Sequence, residues 1–300
     1  MRRPSPSTKR RGLSAAPGWT WGWASRGSSG FTSVKSCFEE GERVTNEQIY
    51  QTALRQSAID CSCRPEDFLS GENRIVPSRP HERARRYLTL PFSCNLVSYG
   101  GGVVASVSGG LEGLVADYLN RFDPVHCFET PNLHVLNDAL APHGQQICFM
   151  AEYFLPDLRA LRPLPSPLPT RLLGPEELAP LYLPRWSNAL CEKRRELDVL
   201  AVGAYDGAEL VGLAGCSADC EEMWQIGIDV LPGYRRRGIA AALTSRLAAE
   251  TLQRGKVPFY CAAWSNIRSV RNAIKSGFRP AWVEMTARER AFVEACNGNP

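Results

Sequence analysis

At 300 residues the chain exceeds the usual single-domain size, and a composition that is 44% apolar can supply two cores. The formal charge of +4 is unevenly placed: Arg2, Arg3, Lys9, Arg10, Arg11 and Arg26 stand in the first 30 residues without an acidic residue, which leaves −2 for the rest. A near-neutral body argues against a nucleic-acid-binding surface spread over the fold, because phosphate binding needs clustered Lys and Arg; any such role falls to the N-terminal arm.

Eleven cysteines, an odd number scattered from Cys37 to Cys296, read as reduced thiols in a chain too long to need stapling. The close pairs Cys61 with Cys63 and Cys216 with Cys220 do not form the two spaced CxxC pairs of a zinc site, so no metal is expected. No apolar run reaches the roughly 18 residues that span a bilayer, and the basic start lacks the apolar stretch of a secretory signal. The expectation is a soluble cytoplasmic protein with no membrane partner.

Residues 1–32 are rich in Ser, Gly, Pro and Arg and are expected to be a disordered basic tail. From 43 to 158 the pattern predicts an N-terminal α+β domain. It holds a helix after Thr45, strands in FSCNLVSYG and GVVASVSG, and a helix presenting Leu111, Leu114, Val115 and Leu119 on one face. A second helix carries His134 beside apolar neighbours, as a hydrogen-bonded structural residue, and a buried strand, QQICFMAEYF, closes the domain. Between 155 and 170, five prolines in sixteen positions predict a linker or stiff crossing.

Residues 161–290 form the second predicted domain. TRLL reads as a short strand, the segment from Pro175 to Arg194 as one or two helices broken near Pro184, and 198–218 as a hairpin turning at Asp206 and Gly207. MWQIGIDV is a third strand, with Trp224, Ile226, Ile228 and Val230 on one face and Met223, Gln225, Gly227 and Asp229 on the other. It runs through LPGYRRRGIA into a helix with Ile239, Leu243 and Leu247 on one side and Gly255 as its cap. A loop in that place points backbone N–H groups at one spot, where the helix dipole adds about half a positive charge, so the site suits a pyrophosphate.

The run Val230–Ala240 resembles the acetyl-CoA-binding signature of the GNAT acetyltransferase superfamily, with Arg235, Gly238 and Ala240 at its defined positions. SNIRSVRNAIKSGF resembles the second block of that family, through Asn266, Gly277 and Phe278. The likeness spans about 168–290. It implies a mixed α/β fold with a splayed sheet flanked by helices, here preceded by a smaller α+β domain, and acetyl-CoA as cosubstrate without metal. It also implies pantetheine pairing with the main chain of Ile228, Asp229 and Val230, pyrophosphate on the backbone of Arg235, Arg236, Arg237, Gly238, Ile239 and Ala240, and Asn266 near the pantetheine arm. The arginine side chains are expected to reach outward.

The implied reaction is N-acetylation of a primary amine, on a small molecule or peptide, by direct attack. No histidine follows His143, so a carboxylate, or water relayed to one, must take the proton. Glu222 is the first candidate, counted back by twos onto the face of Trp224 and Ile226; Asp229 and Glu221 are weaker ones. The family's usual tyrosine acid corresponds to Ala273, which leaves Tyr260, Ser269 or no acid at all. The residues before 160 would supply a substrate surface or a homodimer surface. The competing reading is a non-catalytic module that binds acetyl-CoA in a regulatory or structural role.

Overall fold

Thr45 opens the first helix by a reciprocal cap: its hydroxyl accepts from Gln48 N at 3.1 Å, and Gln48 Oε1 accepts from Thr45 N at 2.7 Å. This helix, α1 (Asn46–Cys61), begins a computed structural model described for residues 44–298. The segment 1–32 lies outside the described residues. After α1 come β1 (Arg74–Pro77), β2 (Cys94–Ser98), β3 (Val104–Val107), α2 (Glu112–Arg121), α3 (Thr130–Leu140) and β4 (Gln145–Pro156). The chain continues through β5 (Thr170–Leu173), α4 (Pro175–Leu178), β6 (Asp198–Asp206), β7 (Glu209–Ser217), β8 (Met223–Val230) and α5 (Ile239–Gln253). It ends with β9 (Val257–Ala262), α6 (Ile267–Lys275), β10 (Phe278–Glu289) and α7 (Arg290–Gly298).

The strands form one mixed sheet in the order β1-β3-β2-β10-β4-β9-β8-β7-β6-β5, with helices on both faces, so the protein is mixed α/β. Residues before and after the proline-rich crossing share it: β10 runs antiparallel between β2 and β4, and β4 runs antiparallel to β9. On one face α5 and α6 bury Ile239, Leu243, Leu247 and Ala273 against Val202, Val211, Ile226 and Tyr260. On the other, α1 covers Tyr153, Phe259 and Trp282, the last stacked on Tyr153 at 4.7 Å between ring centroids.

Three expectations are corrected. The stretch 175–197 holds one four-residue helix and three short 3-10 turns instead of longer helices, because Pro180 and Pro184 remove amide donors and Trp186, Ala189 and Leu190 are drawn into a small core on β6 and β7. The strand β4 is buried only over Tyr153–Pro156, with Phe149 52% exposed, because β9 pairs with Glu152–Phe154 alone and leaves the first half at an edge. His134 is exposed on α3.

A buried polar network crosses the two halves. Arg85, 3% exposed, donates from Nε to Asp60 at 2.5 Å and from an η nitrogen to Glu284 at 3.1 Å, while Asn95 also donates to Glu284 at 3.2 Å. Burial pushes the Asp60 carboxyl up and the charge of Arg85, which bonds both Asp60 and Glu284, pulls it part of the way back. Removing the guanidinium strands both. Arg85→Ala is expected to destabilise the fold by about 3–5 kcal/mol, read from the urea unfolding midpoint.

At the end of β4, Asp157 accepts from Asn46 Nδ2 at 2.7 Å, which fastens the start of α1, and from Arg159 N at 3.1 Å. The Arg159 main-chain bond, then the Asn46 bond, hold its carboxyl at about 2 against an ordinary 3.8. The folded state favours the ionised form, so this stabilisation is present above the ordinary value and is lost as pH falls toward 2. In urea titrations from pH about 5 to about 2, the stability difference between the wild type and Asp157→Asn is expected to shrink toward the acid end.

Candidate active site

The parallel strands β8 and β9 pair only from Met223 with Val257 to Gln225 with Phe259, although β8 continues to Val230 and β9 to Ala262. Beyond that rung each strand is held from its outer side: β8 by β7 as far as Val230, β9 by β4 at Tyr260–Ala262. A gap therefore opens between them. Leu231 N donates to Val211 O at 2.9 Å, and the alternation of an antiparallel ladder then turns the main chain of Asp229 toward β7 and that of Ile228 and Val230 into the gap. Of the three consecutive residues expected to meet pantetheine, Asp229 faces away. The Val230 carbonyl accepts from Arg235 Nε at 2.9 Å, which leaves the Ile228 amide and carbonyl and the Val230 amide toward the opening.

Beyond Val230 a 3-10 turn over Pro232–Tyr234 leads to Arg236 and Gly238, both left-handed at φ 63 and 87. Gly238 is thus required by its own backbone, and a Cβ there would project into open space. Among the described residues, no acceptor meets the main-chain N–H groups from Arg236 to Ala241, and Arg235 N reaches Pro232 O only at 3.4 Å. These amides and the amino end of the fifteen-residue α5 converge on the mouth of the gap. Tyr234 anchors the loop by donating to Asp206 at 2.8 Å. The arginines do not all reach outward: Arg235 folds back onto Val230, and Arg237 lies over the Tyr234 ring at 5.2 Å.

The resulting cleft, about 790 Å³, is lined by Ile228, Asp229, Val230, Arg235, Arg236, Gly238, Ile239, Ala240 and Asn266, and so brings together most of the residues picked from the sequence. Asn266 also caps α6, its Oδ1 accepting from Ser269 N at 3.2 Å. Three lining cations, Arg268, Arg271 and Lys275, escape the motif reading. Their spacing of three and four residues, which puts them on one helical face, is the signal that would have found them. Asn188 is also unforeseen. A Cβ on Gly227 would lie 1.8 Å from its carbonyl oxygen, so the glycine lets residues 187–190 sit directly on the sheet.

The carboxylates part company. Glu222 lies before the paired end of β8, opposite the gap, in an ion pair with Arg55 at 3.5 Å, and does not line the cleft. Counting by twos along a strand gives the face of a side chain but not the end at which the neighbouring strand departs. Glu221 pairs with Arg83 at 3.9 Å, away from the cleft. Asp229 does line it, but its oxygens accept from Asn188 N at 2.8 Å, Asn188 Nδ2 at 2.7 Å and Ala189 N at 3.0 Å. The Tyr260 and Ser269 hydroxyls, also in the lining, are 2.8 Å apart, while Ala273 is buried in the core under α6.

Residues 200–281 match the family described as GNAT acetyltransferase. No curated protein matches the chain. Among solved structures, it is similar to a GCN5-related N-acetyltransferase-like protein from Streptococcus suis at 20% identity and a TM-score of 0.39, over 52% of this chain and 69% of that one. An acetyltransferase of the GNAT family from Colwellia psychrerythraea gives 15%, 0.38, 53% and 62% in the same terms. The yncA protein of Salmonella typhimurium, solved with its cofactor acetyl-CoA, gives 15%, 0.30, 42% and 95%. The chain thus spans about two thirds of the length of the first two, and at these scores the likenesses carry no argument about chemistry. The assignment rests on the family match, which falls on the strands and helix that build the cleft: the C-terminal domain of this chain, over residues 200–281, belongs to the GNAT acetyltransferase superfamily.

Proposed function

We propose that the protein is an N-acetyltransferase that moves the acetyl group of acetyl-CoA to a primary amine of a small molecule or peptide. The observation that carries this reading is the run of unpartnered main-chain N–H groups from Arg236 to Ala241 at the mouth of the parted strands. The residues present fit the cosubstrate. The amides and the α5 terminus would receive the diphosphate, Arg268, Arg271 and Lys275 would add positive charge, and Ile228 and Val230 would offer ladder groups to the amide-bearing arm.

In the reaction the neutral amine attacks the thioester carbonyl, and main-chain N–H groups in the gap polarise that carbonyl. The amine proton leaves to water, because Asp229, the carboxylate in the cleft lining, is committed to Asn188 and Ala189. Residues 43–158 supply an acceptor-side or self-association surface. The setting is cytoplasmic, a reading supported by the fact that among the described residues no helix is long and apolar enough to cross a membrane.

The absence of an uncommitted carboxylate or histidine in the cleft lining favours a second reading, a module that binds acetyl-CoA without turnover. Titration calorimetry of the full chain with acetyl-CoA, followed by a panel of primary amines with labelled acetyl-CoA, separates the two. Saturable binding with product supports the transferase, saturable binding without product supports the module, and no binding overturns both. Gly238→Val is expected to weaken acetyl-CoA binding at least about tenfold, because the left-handed residue beside the phosphate site costs a side chain about 1–2 kcal/mol and displaces the amides. Unchanged affinity would refute that placement of the phosphates.

A further inference from the structure

We propose that Ser269 donates a hydrogen bond to the departing sulfur of the acyl donor, and that Tyr260 is the positioning residue that holds it in place. The inference rests on the acetyl-CoA reading. Tyr260 is the first β9 residue past the last rung of pairing with β8, at the point where the strands separate. Its residue is 2% exposed, and its ring is fixed between Phe154 and Phe278 at 6.5 and 6.2 Å between centroids. The hydroxyl emerges on the cleft side and meets Ser269 Oγ at 2.8 Å.

Ser269 in turn sits in the first turn of α6, whose start is clamped by Asn266, so both members of the pair stand on rigid elements. One helical turn on, Ala273 is sealed in the core and offers no polar atom; of the amide side chains on this wall, Asn266 caps α6 and Asn272 donates to Thr244 at 3.0 Å, while the Tyr260–Ser269 pair stands where the strands part. With Tyr260 donating to Ser269 Oγ, the serine hydrogen is free to turn into the gap. Burial pushes the Tyr260 hydroxyl above its ordinary value, so it stays a donor over the whole working range.

Chemically the step needs no ionised side chain. As the amine nitrogen forms the new C–N bond, the C–S bond breaks and its electron pair moves to sulfur. The Ser269 O–H stabilises that charge without surrendering its proton, and the thiolate takes up from water the proton that the amine released. A thiol with an ordinary value near 8.5 is a good enough leaving group for such a bond to suffice.

The test uses the full chain, with hydroxylamine as a small nucleophile, following loss of the thioester absorbance of acetyl-CoA. The variants are Ser269→Ala, Ser269→Thr and Tyr260→Phe, and calorimetry with acetyl-CoA runs alongside. The expected result is a fall in kcat of about 10- to 100-fold for Ser269→Ala, a smaller fall for Tyr260→Phe, KM and affinity for acetyl-CoA within about twofold, and recovery in Ser269→Thr. Unchanged kcat in Ser269→Ala, or a loss of affinity that matches the loss of rate, overturns the assignment while leaving the acetyl-CoA reading intact. Wild-type protein that binds acetyl-CoA but does not consume the thioester refutes it in favour of the binding module. Protein that binds none refutes the cosubstrate reading itself, and the inference falls with it.

Discussion

The strands β8 and β9 run side by side for three residues and then part, and the site depends on what keeps them apart. A pair of strands that could close would do so, since each unpaired amide or carbonyl left dry costs free energy. Here neither strand is at liberty to move. β8 is committed to β7 up to Val230, and β9 is committed to β4 at Tyr260–Ala262. The second restraint comes from residues 145–156, before the proline-rich crossing, so the GNAT portion of the chain borrows part of its cleft wall from the other half.

The charges around that cleft are one-sided although the body as a whole is nearly neutral. Unpartnered amides and the α5 terminus meet Arg268, Arg271 and Lys275 from α6, while Asp229 is spent on Asn188 and Ala189. The field favours an anion with several charges, and its main-chain part does not depend on flexible side chains. The arginines of the loop serve the loop as much as a ligand: Arg235 ties it to Val230, and Arg237 covers Tyr234, which is bonded to Asp206.

The opposite face is held by a different kind of interaction. Asp60 on α1, Arg85 on the connection from β1 to β2, Asn95 on β2 and Glu284 on β10 meet in one buried cluster, next to the Tyr153–Trp282 stack. Such a cluster is satisfied in one arrangement of its elements only, so it selects the register in which β10 lies between β2 and β4. That register is what delivers β4 to the free edge of β9.

Much of this was legible in the residues alone, where the governing forces are local. Thr45 and Gln48 mark the start of α1, the alternation of MWQIGIDV assigns the faces of β8, and Gly238 with the following apolar spacing announces a loop that opens a helix. Motif and backbone chemistry coincide there, so most of the residues picked for the cosubstrate fall in the lining of one cleft. What spacing could not supply were relations set by distant partners. The end at which β8 separates from β9 removed Glu222 from the cleft, the ladder with β7 turned Asp229 aside, and the approach of Asn188 to Gly227 consumed the Asp229 carboxylate. Local propensity and patterning decided the elements and the glycine loop that opens α5; only tertiary contact, by choosing each strand's neighbours, decided which polar groups were left over for chemistry.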